Sequence, residues 1–184
     1  MIGIRRARPA DAASIAAVHV AAWRSAYPGI LPDSYLTHLS VIRQAGHYER
    51  AIRAEGGVFV AAAWGGDLPP GGRPRVVGFT TTGLARSPGI AEGEIETLYV
   101  LDDWRERGIG RRLMRAAAAH LQAVGCRSVF VWVLSANPSR WFYVRLGGRA
   151  VAEATVQVGG RPVNQTAFLW DPIERLLETS AQAN

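Results

Sequence analysis

The sequence has 184 residues, which fits one domain, and its 48% hydrophobic and 20% charged content is typical of a globular protein with a sizeable core. Every basic residue is arginine, so no lysine is available for Schiff-base or lysine-nucleophile catalysis. The single cysteine, Cys126, excludes an intrachain disulfide and argues against a thiolate zinc site. The N-terminal residues lack the apolar core of a signal peptide and no apolar run is long enough to span a membrane, so a cytoplasmic protein without a membrane partner is expected.

The formal net charge of +6 raises the question of a nucleic-acid partner. The arginines are scattered along the chain rather than gathered in blocks, and this favours a phosphate-bearing small molecule over a polynucleotide. We therefore expect no nucleic-acid partner. The histidines have no neighbours at metal-ligand spacing, so no metal site is predicted either.

The hydrophobic periodicity predicts elements in the order β-α-α-β-β-β-α-β-α-β-β. A short strand ends before Pro9, a helix follows Asp11, and a second helical region covers residues 33–54. The later predictions are strands at 57–64, 75–83, 94–101 and 128–134, helices at about 108–123 and 138–147, and a closing hairpin around Gly159 and Gly160. The fold class is α/β (α+β), a single domain over residues 1–172. Residues 173–184 are expected to form a short C-terminal tail that frays.

The stretch LDDWRERGIGRRLMRAAAAHL, residues 101–121, places arginines and glycines at the start of a helix that follows a strand. Unpaired backbone N–H groups point outward at the positive end of a helix dipole. Gly108 and Gly110 let an anion approach those groups, and Arg105, Arg107 and Arg111 can add forked hydrogen bonds. The stretch therefore predicts a cradle for a diphosphate. It is neither a G-x-G-x-x-G fingerprint nor a lysine-containing P-loop.

The spacing Arg105-x-x-Gly108-x-Gly110 resembles the R/Q-x-x-G-x-G/A signature of the GNAT superfamily of acetyl-CoA-dependent N-acetyltransferases. The flanking segments EIETLYVLDDW and VFVWVLSANPSRWFYVRLGGR are similar to its central strand and to the strand and helix that follow. The order of elements also matches, so the resemblance covers most of residues 2–170 and extends to uncharacterised bacterial members. It implies a GNAT-like fold with a mostly antiparallel mixed central sheet flanked by helices.

The resemblance implies that acetyl-CoA is the co-substrate, without a metal. The central strand is expected to splay from its neighbour around Leu98, Tyr99 and Val100, so that the pantetheine arm pairs with it like an added strand. An N–H at Leu98 or Tyr99 could also polarise the thioester carbonyl. The diphosphate would then bind the cradle residues Arg105, Glu106, Arg107, Gly108, Ile109, Gly110 and Arg111. The alternatives are an ordinary core strand and a solvated basic face.

Two residues near the predicted 138–147 helix match family positions. Tyr143 matches the tyrosine whose hydroxyl lies near the coenzyme sulfur, so it is the predicted general acid. Asn137 matches the strand-end asparagine that holds pantetheine or a water. Tyr143 could instead be a core aromatic residue, and Asn137 could cap the helix that follows Pro138.

The base is expected on the central strand, where Glu94 and Glu96 share one face. The resemblance favours Glu96, acting through water, with Glu94 as the second candidate. Both could instead be exposed carboxylates or acidic groups that attract a cationic acceptor, so Glu96 is also a predicted substrate-binding residue. Trp23 and Tyr27, in a helical stripe with His19, form either core packing or the aromatic wall of the acceptor pocket.

These observations predict an N-acetyltransferase that transfers acetyl from acetyl-CoA to a primary amine by direct attack in a ternary complex. The acceptor could be a small molecule, a peptide or a protein, and a homodimer is a further expectation because family members often dimerise. The alternative is a non-catalytic acyl-CoA sensor or regulatory module of the same fold. Such a module would not need Tyr143 or Glu96. A nucleic-acid binder is the weakest alternative.

Overall fold

The computed structural model describes residues 1–67, 72–87 and 89–181, and its strands form one sheet. Seven strands are present in these residues: β1 (Ile2–Arg6), β2 (Gly57–Ala63), β3 (Arg75–Leu84), β4 (Gly93–Val100), β5 (Val129–Leu134), β6 (Arg149–Val158) and β7 (Arg161–Trp170). Their order across the sheet is β1-β2-β3-β4-β5-β7-β6. All neighbouring pairs are antiparallel except β4 and β5, which are parallel. The mostly antiparallel mixed sheet expected from the sequence is therefore confirmed.

Helices cover both faces of the sheet. They are α1 (Ala12–Ala26), α2 (Asp33–Thr37), α3 (Val41–Arg53), α4 (Ile109–Ala123), α5 (Arg140–Arg145) and α6 (Glu174–Ala181). On one face, α1 and α3 bury Ile15 and Tyr48 against β2 and β3. On the other, α4 buries Leu113 and Leu121 at the i, i+8 spacing of a single helical stripe. Because both faces of the sheet are covered, β2 is buried along its whole length.

Two expectations about the helices are wrong. The helical region at 33–54 is two helices, because the chain leaves helical conformation after Thr37 and restarts at Ser40, whose hydroxyl accepts a hydrogen bond from the Arg43 N–H (3.3 Å). Residues 174–181 do not fray but form α6, which packs on α4 with Leu176 fully buried. The last three predicted tail residues, 182–184, lie outside the described residues. In the described part of the chain, no helix combines the length and hydrophobicity that crossing a bilayer requires.

β4 and β5 diverge in the middle of the sheet. Their parallel pairing covers only Gly93–Ile95 against Val129–Val131. β4 nevertheless stays paired with β3 as far as Val100, and β5 with β7 as far as Leu134. The inner edge of β4 is therefore open beyond Ile95 and that of β5 beyond Val131, and a wedge-shaped gap lies between them.

Candidate active site

One cleft of about 1120 Å³ passes through this gap. Its two ends lie on opposite faces of the sheet, one on the face covered by α4 and the other on the face covered by α1. One is lined by the start of α4, by α5 and by Thr179 of α6, and we call it the cofactor end after the cradle predicted there. The other is lined by α1 and by the carboxylates of β4, and we call it the acceptor end after the acceptor wall predicted there. A cleft of this volume has room for an extended ligand that reaches from one end to the other.

The open edge of β4 presents backbone donors to the cleft. The Leu101 N–H donates to the Val77 carbonyl on β3 (2.9 Å). Amides alternate in direction along an antiparallel strand, so those of Leu98 and Val100 point away from β3, toward the gap. The Tyr99 amide faces β3, and its side chain lines the cleft beside Phe79 on the α1 side of the sheet. Of the two candidate amides for polarising a carbonyl, the Leu98 amide is the one that faces the cleft.

The predicted cradle forms the turn before α4. Gly108 is the N-cap and has a left-handed φ of 69°, and Glu106 also has a positive φ, of 60°. The first i→i−4 bond of the helix runs from the Arg112 N–H to the Gly108 carbonyl (3.1 Å). The Ile109 and Gly110 amides precede that bond at the positive end of the helix dipole. This is the arrangement that binds a phosphate group.

The cradle arginines are already oriented. Arg105 pairs with Asp102 (Nη2–Oδ1 2.8 Å), and the Arg107 guanidinium lies 4.7 Å from the centre of the Trp104 ring. A Cβ built on Gly108 would lie 3.4 Å from Nη2 of Arg111, so the Arg111 guanidinium folds back over the N-terminus of α4. Arg105, Glu106, Gly108, Ile109, Gly110 and Arg111 line the cleft, together with Leu98, Tyr99 and Val100. Arg107, which was also predicted to bind the diphosphate, lies over Trp104 and is not part of this lining.

The turn also leaves little room for a side chain. A Cβ on Gly110 would lie 3.2 Å from the Phe142 ring, a tight contact, so the glycine lets α5 approach the cradle closely. Amides at the helix start that precede its first i→i−4 bond, neighbouring guanidinium groups and the absence of a side chain at Gly110 together fit a diphosphate. The residues present therefore fit coenzyme A at this end of the cleft.

Tyr143 and Asn137 lie between the two ends. Tyr143 is 6% exposed, and its ring stacks on Phe168 with centroids 6.0 Å apart. Burial, and next the neighbouring Tyr27, raise the pKa of Tyr143 well above the usual phenol value, so the hydroxyl stays protonated at neutral pH. Asn137 Oδ1 accepts a hydrogen bond from the Ser139 N–H (2.9 Å) in the turn before α5, whose N-cap is Ser139, so Asn137 does not cap that helix. Both residues also line the cleft.

Tyr27 connects α1 to this region. It is buried at the C-terminal cap of α1, where burial raises its pKa and hydrogen bonds from the Asn137 and Tyr99 side chains partly offset the rise. Trp23 meets Tyr27 edge-to-face with ring centroids 5.0 Å apart, and both line the cleft. His19 lies behind them, outside the cleft lining, with Nδ1 2.6 Å from the Tyr48 hydroxyl. Trp23 and Tyr27 therefore form a cleft wall, and His19 is core.

The strand carboxylates differ in their surroundings. The register between β3 and β4 shifts so that Thr81 pairs with Thr97 and Thr82 with Ile95, which leaves Glu96 as the extra residue of a bulge. Its side chain is 33% exposed, and Oε2 accepts a hydrogen bond from the Thr81 hydroxyl (3.3 Å). Glu94 is only 2% exposed.

Arg86 is the main cleft residue that sequence reasoning missed. Its Nη2 and Nε donate to the two oxygens of Glu94 (2.8 and 3.2 Å), and its Nε lies 3.9 Å from Oε1 of Glu96. The sequence showed only a loop at this position, and no local spacing indicates that the loop folds back onto β4. Phe142 and Thr179 were also missed, because their roles depend on how α5 and α6 pack. The described residues contain no group of three or more His, Cys, Asp or Glu side chains that could share a metal ion.

Comparison with known proteins agrees with this geometry. The sequence model of the acetyltransferase (GNAT) family matches residues 18–148. The uncharacterized N-acetyltransferase YuaI of Bacillus subtilis is 32% identical over 177 residues, which is 96% of each chain. Aminoglycoside N(6')-acetyltransferase type 1 of Stenotrophomonas maltophilia is 32% identical over 126 residues, covering 68% of this chain and 71% of the relative.

Solved structures share the fold. The crystal structure of PaiA N-acetyltransferase from Thermoplasma acidophilum in complex with coenzyme A aligns with 90% of this chain and 98% of that chain. Its TM-score is 0.64 at 17% sequence identity, a likeness of fold.

Proposed function

The chain belongs to the acetyltransferase (GNAT) family and is an acyltransferase enzyme, and from this premise we propose that it transfers acetyl from acetyl-CoA to a primary amine by direct attack in a ternary complex. The observation that supports this most is the divergence of β4 and β5 beside the α4 cradle, within one continuous cleft. That cleft allows donor and acceptor to meet without a covalent enzyme intermediate.

The cofactor end supplies the binding groups for acetyl-CoA. The Ile109 and Gly110 amides would hold the diphosphate, with Arg105 and Arg111 supplying charge-assisted hydrogen bonds. The open β4 edge at Leu98 and Val100 would pair with the amide groups of the pantetheine arm. When bound, acetyl-CoA supplies an acetyl thioester, an activated acyl group.

Two groups of the chain would act on the thioester, the Leu98 amide on its carbonyl oxygen and the Tyr143 hydroxyl on its sulfur. The Leu98 amide is a fixed donor that would stabilise negative charge on the carbonyl oxygen in the transition state. The protonated Tyr143 hydroxyl would give its proton to the departing sulfur as the carbon–sulfur bond breaks. Burial keeps this proton on the Tyr143 oxygen in the resting enzyme, so its transfer would have to follow the build-up of negative charge on the sulfur.

Glu96 is the proposed base. A primary ammonium must lose a proton before its nitrogen can form the new bond to the acetyl carbon. Glu96 is partly exposed in the cleft, so it can take that proton directly or through water. The ammonium nitrogen loses two protons in the whole reaction. Glu96 takes one and releases it to solvent. The other replaces the proton that Tyr143 gives to sulfur. Glu94 is the weaker candidate because both of its oxygens are bonded to Arg86.

Trp23 and Tyr27 are the proposed acceptor wall, and they face the cleft on the same side of the sheet as Glu96. Aromatic faces and a carboxylate together favour a cationic amine over a neutral alcohol. A small molecule or a peptide N-terminus fits such a wall. Because the reaction consumes acetyl-CoA, we place the protein in the cytoplasm.

A thiol-release assay tests the proposal directly. With acetyl-CoA and a panel of primary amines, we expect amine-dependent release of coenzyme A and an acetylated product detected by mass spectrometry. Glu96→Gln should lower kcat by about 10²-fold, the usual contribution of a general base. Glu92→Gln is the matched control, since Glu92 pairs with Arg127 outside the cleft. Equal losses in the two variants, or no thiol release with any amine, would contradict the proposal.

A further inference from the structure

The acceptor end carries three charged side chains that lie close together, Arg86, Glu94 and Glu96. What they recognise bears on the substrate class, so this inference rests on the proposed function. Glu94 is fully committed: Oε1 accepts from Arg86 Nη2, and Oε2 accepts from both Nε and the backbone N–H of Arg86 (3.0 Å). This bidentate pair neutralises the buried carboxylate and fixes the position of the guanidinium.

Arg86 has N–H donors that its pair with Glu94 does not use. A guanidinium has five N–H donors, and the pair with Glu94 uses two of them, from Nε and Nη2. The opposite edge of the group consists of Nη1 and the second N–H of Nη2, and no hydrogen bond joins Nη1 to any described residue. The side chain is 67% exposed and lines the cleft. Such an edge matches a carboxylate, which it can bind with two parallel hydrogen bonds.

Glu96 supplies a negative charge near the guanidinium, on its Nε side. Its Oε1 lies 3.9 Å from Arg86 Nε, so an anion site and a cation site are adjacent at the acceptor end. Arg86 and Glu94 form a pair without net charge whose remaining N–H donors face the cleft, and Glu96 adds one negative charge beside it. A ligand that complements both carries an ammonium and an anion separated by only a few bonds.

We propose that the acceptor is a small zwitterion, such as an α- or β-amino acid or an amino phosphonate, whose amine binds at Glu96 and whose anionic group binds Arg86. The Trp23 and Tyr27 rings then contact the rest of the acceptor. Arg86 is thus a specificity-determining residue. It also acts against polycations, because a second ammonium close to the first would meet the guanidinium.

The experiment compares acceptors that differ only in the anionic group. The native enzyme is screened against amino acids and amino phosphonates, and the best acceptor is compared with its primary amide and with its decarboxylated (or dephosphonylated) amine. The amide is less basic and the simple amine more basic than the parent, so together they control for amine basicity. Spermidine represents polycations. We expect kcat/KM to favour the parent over all three by at least about tenfold, the effect of a charge-assisted hydrogen bond.

Variants then assign that preference to Arg86. Arg86→Gln alone leaves Glu94 buried and unpaired, so the double change Arg86→Gln/Glu94→Gln keeps a neutral pair in its place. In the double variant the preference for the anionic parent should disappear, mainly through KM. Arg53→Gln is the control, because Arg53 pairs with Glu49 on the outer surface of α3 and should leave the preference intact.

Each outcome decides the proposal. A tenfold preference lost in the double variant and retained in Arg53→Gln supports it. Equal or better turnover of the amide, the simple amine or spermidine overturns it, as does a preference that survives in the double variant. Absence of transfer to every zwitterion overturns it too, whereas acetylation of an amine of another class in the same screen would leave the proposed function standing.

Discussion

The cofactor end of the cleft comes from one stretch of chain, residues 98–111, with α5 and α6 packed beside it, whereas the acceptor end is assembled from residues as distant in sequence as Trp23, Arg86 and Glu96. The first uses mainly backbone amides at the open edge of a strand and the start of a helix. The second uses side chains held by one another. A backbone site suits the group common to all acetyl-CoA reactions, and a side-chain site can differ from one relative to the next.

Because of this difference, mutations should be able to change the ligand binding of one end without changing that of the other. Changes at the α4 cradle should alter acetyl-CoA affinity and leave acceptor preference intact. Changes at Arg86 should do the reverse. The only residues expected to affect turnover without affecting either binding step are those between the ends, above all Tyr143.

The largest expected effect is at this junction. Tyr143→Phe removes the hydroxyl proposed as general acid and leaves the stacked ring in place against Phe168. We expect kcat to fall by about 10²- to 10⁴-fold, the usual range for general acid catalysis. Acetyl-CoA affinity, measured by calorimetry, should stay close to that of the native enzyme.

Tyr35→Phe is the matched control, because Tyr35 is absent from the cleft lining and packs in the cluster formed by Tyr27 and Leu31. If Tyr143→Phe and Tyr35→Phe gave the same turnover, the leaving sulfur would not depend on Tyr143. The junction between the two ends would then have no acid of its own.

The second expected effect concerns folding stability at low pH, which depends on a buried histidine near the acceptor end. His19 is 8% exposed behind the acceptor wall, where burial, and next the charge on His47, lower its pKa to about 4. The unfolded chain binds this proton near pH 6.5 and the folded chain only near pH 4, so stability falls as the pH drops through that interval. The full loss is about 3 kcal/mol. No such group lies in the cofactor cradle.

Chemical denaturation at pH 7 and pH 4 measures this loss of unfolding free energy. In His19→Phe, which keeps an aromatic ring beside Trp23 and Tyr99, the drop in unfolding free energy should be smaller than in the native protein by about 3 kcal/mol. His38→Phe is the control, since the exposed His38 of the loop after α2 has no role in the wall. An unchanged pH dependence in His19→Phe would show that the buried histidine does not oppose protonation.

The smallest expected effect is a loss of acetyl-CoA affinity caused by a methyl group at Gly108 in the cradle. Gly108 and Gly125 lie at opposite ends of α4, and both have positive φ, 69° and 97°. Alanine at either position costs about 1 kcal/mol of stability for the same conformational reason. Only Gly108→Ala places a methyl group in the cradle, so only this variant should bind acetyl-CoA more weakly, by about tenfold.

Calorimetric titration of both variants, with thermal unfolding to match their stabilities, makes this comparison. A loss of affinity shared equally by Gly108→Ala and Gly125→Ala would trace the effect to the stability of α4. The claim that the cradle binds the diphosphate would then lose its support.

The sequence predicted the fold and the strand-to-helix turn before α4 well, because both follow from local patterns, whereas diphosphate binding by that turn stays a prediction. The element order, the α4 start and the open strand before it depend on short-range periodicity and on glycine spacing around Gly108 and Gly110. The break before α3 was missed because Ser40 reads as one more polar residue on a helical face. The tail was misjudged because Leu176 gains its burial only from contact with α4.

The acceptor end was predicted only in outline. The pattern placed Glu94 and Glu96 on one face of the strand but could not show that a bulge singles out Glu96 or that Arg86 neutralises Glu94. Such pairing requires a loop to fold back across the sheet, which no periodicity encodes. For the same reason, the choice between core packing and a cleft wall for Trp23 was open until α1 was seen against β4.

The most direct test of the central claim is a calorimetric titration of the native protein with acetyl-CoA and with S-acetylpantetheine, which lacks the diphosphate and the nucleotide. If the α4 cradle binds the diphosphate, acetyl-CoA should bind at least about 10²-fold more tightly, two or more charge-assisted contacts being lost without it. Equal affinity for the two compounds, or no binding of acetyl-CoA, would contradict the account.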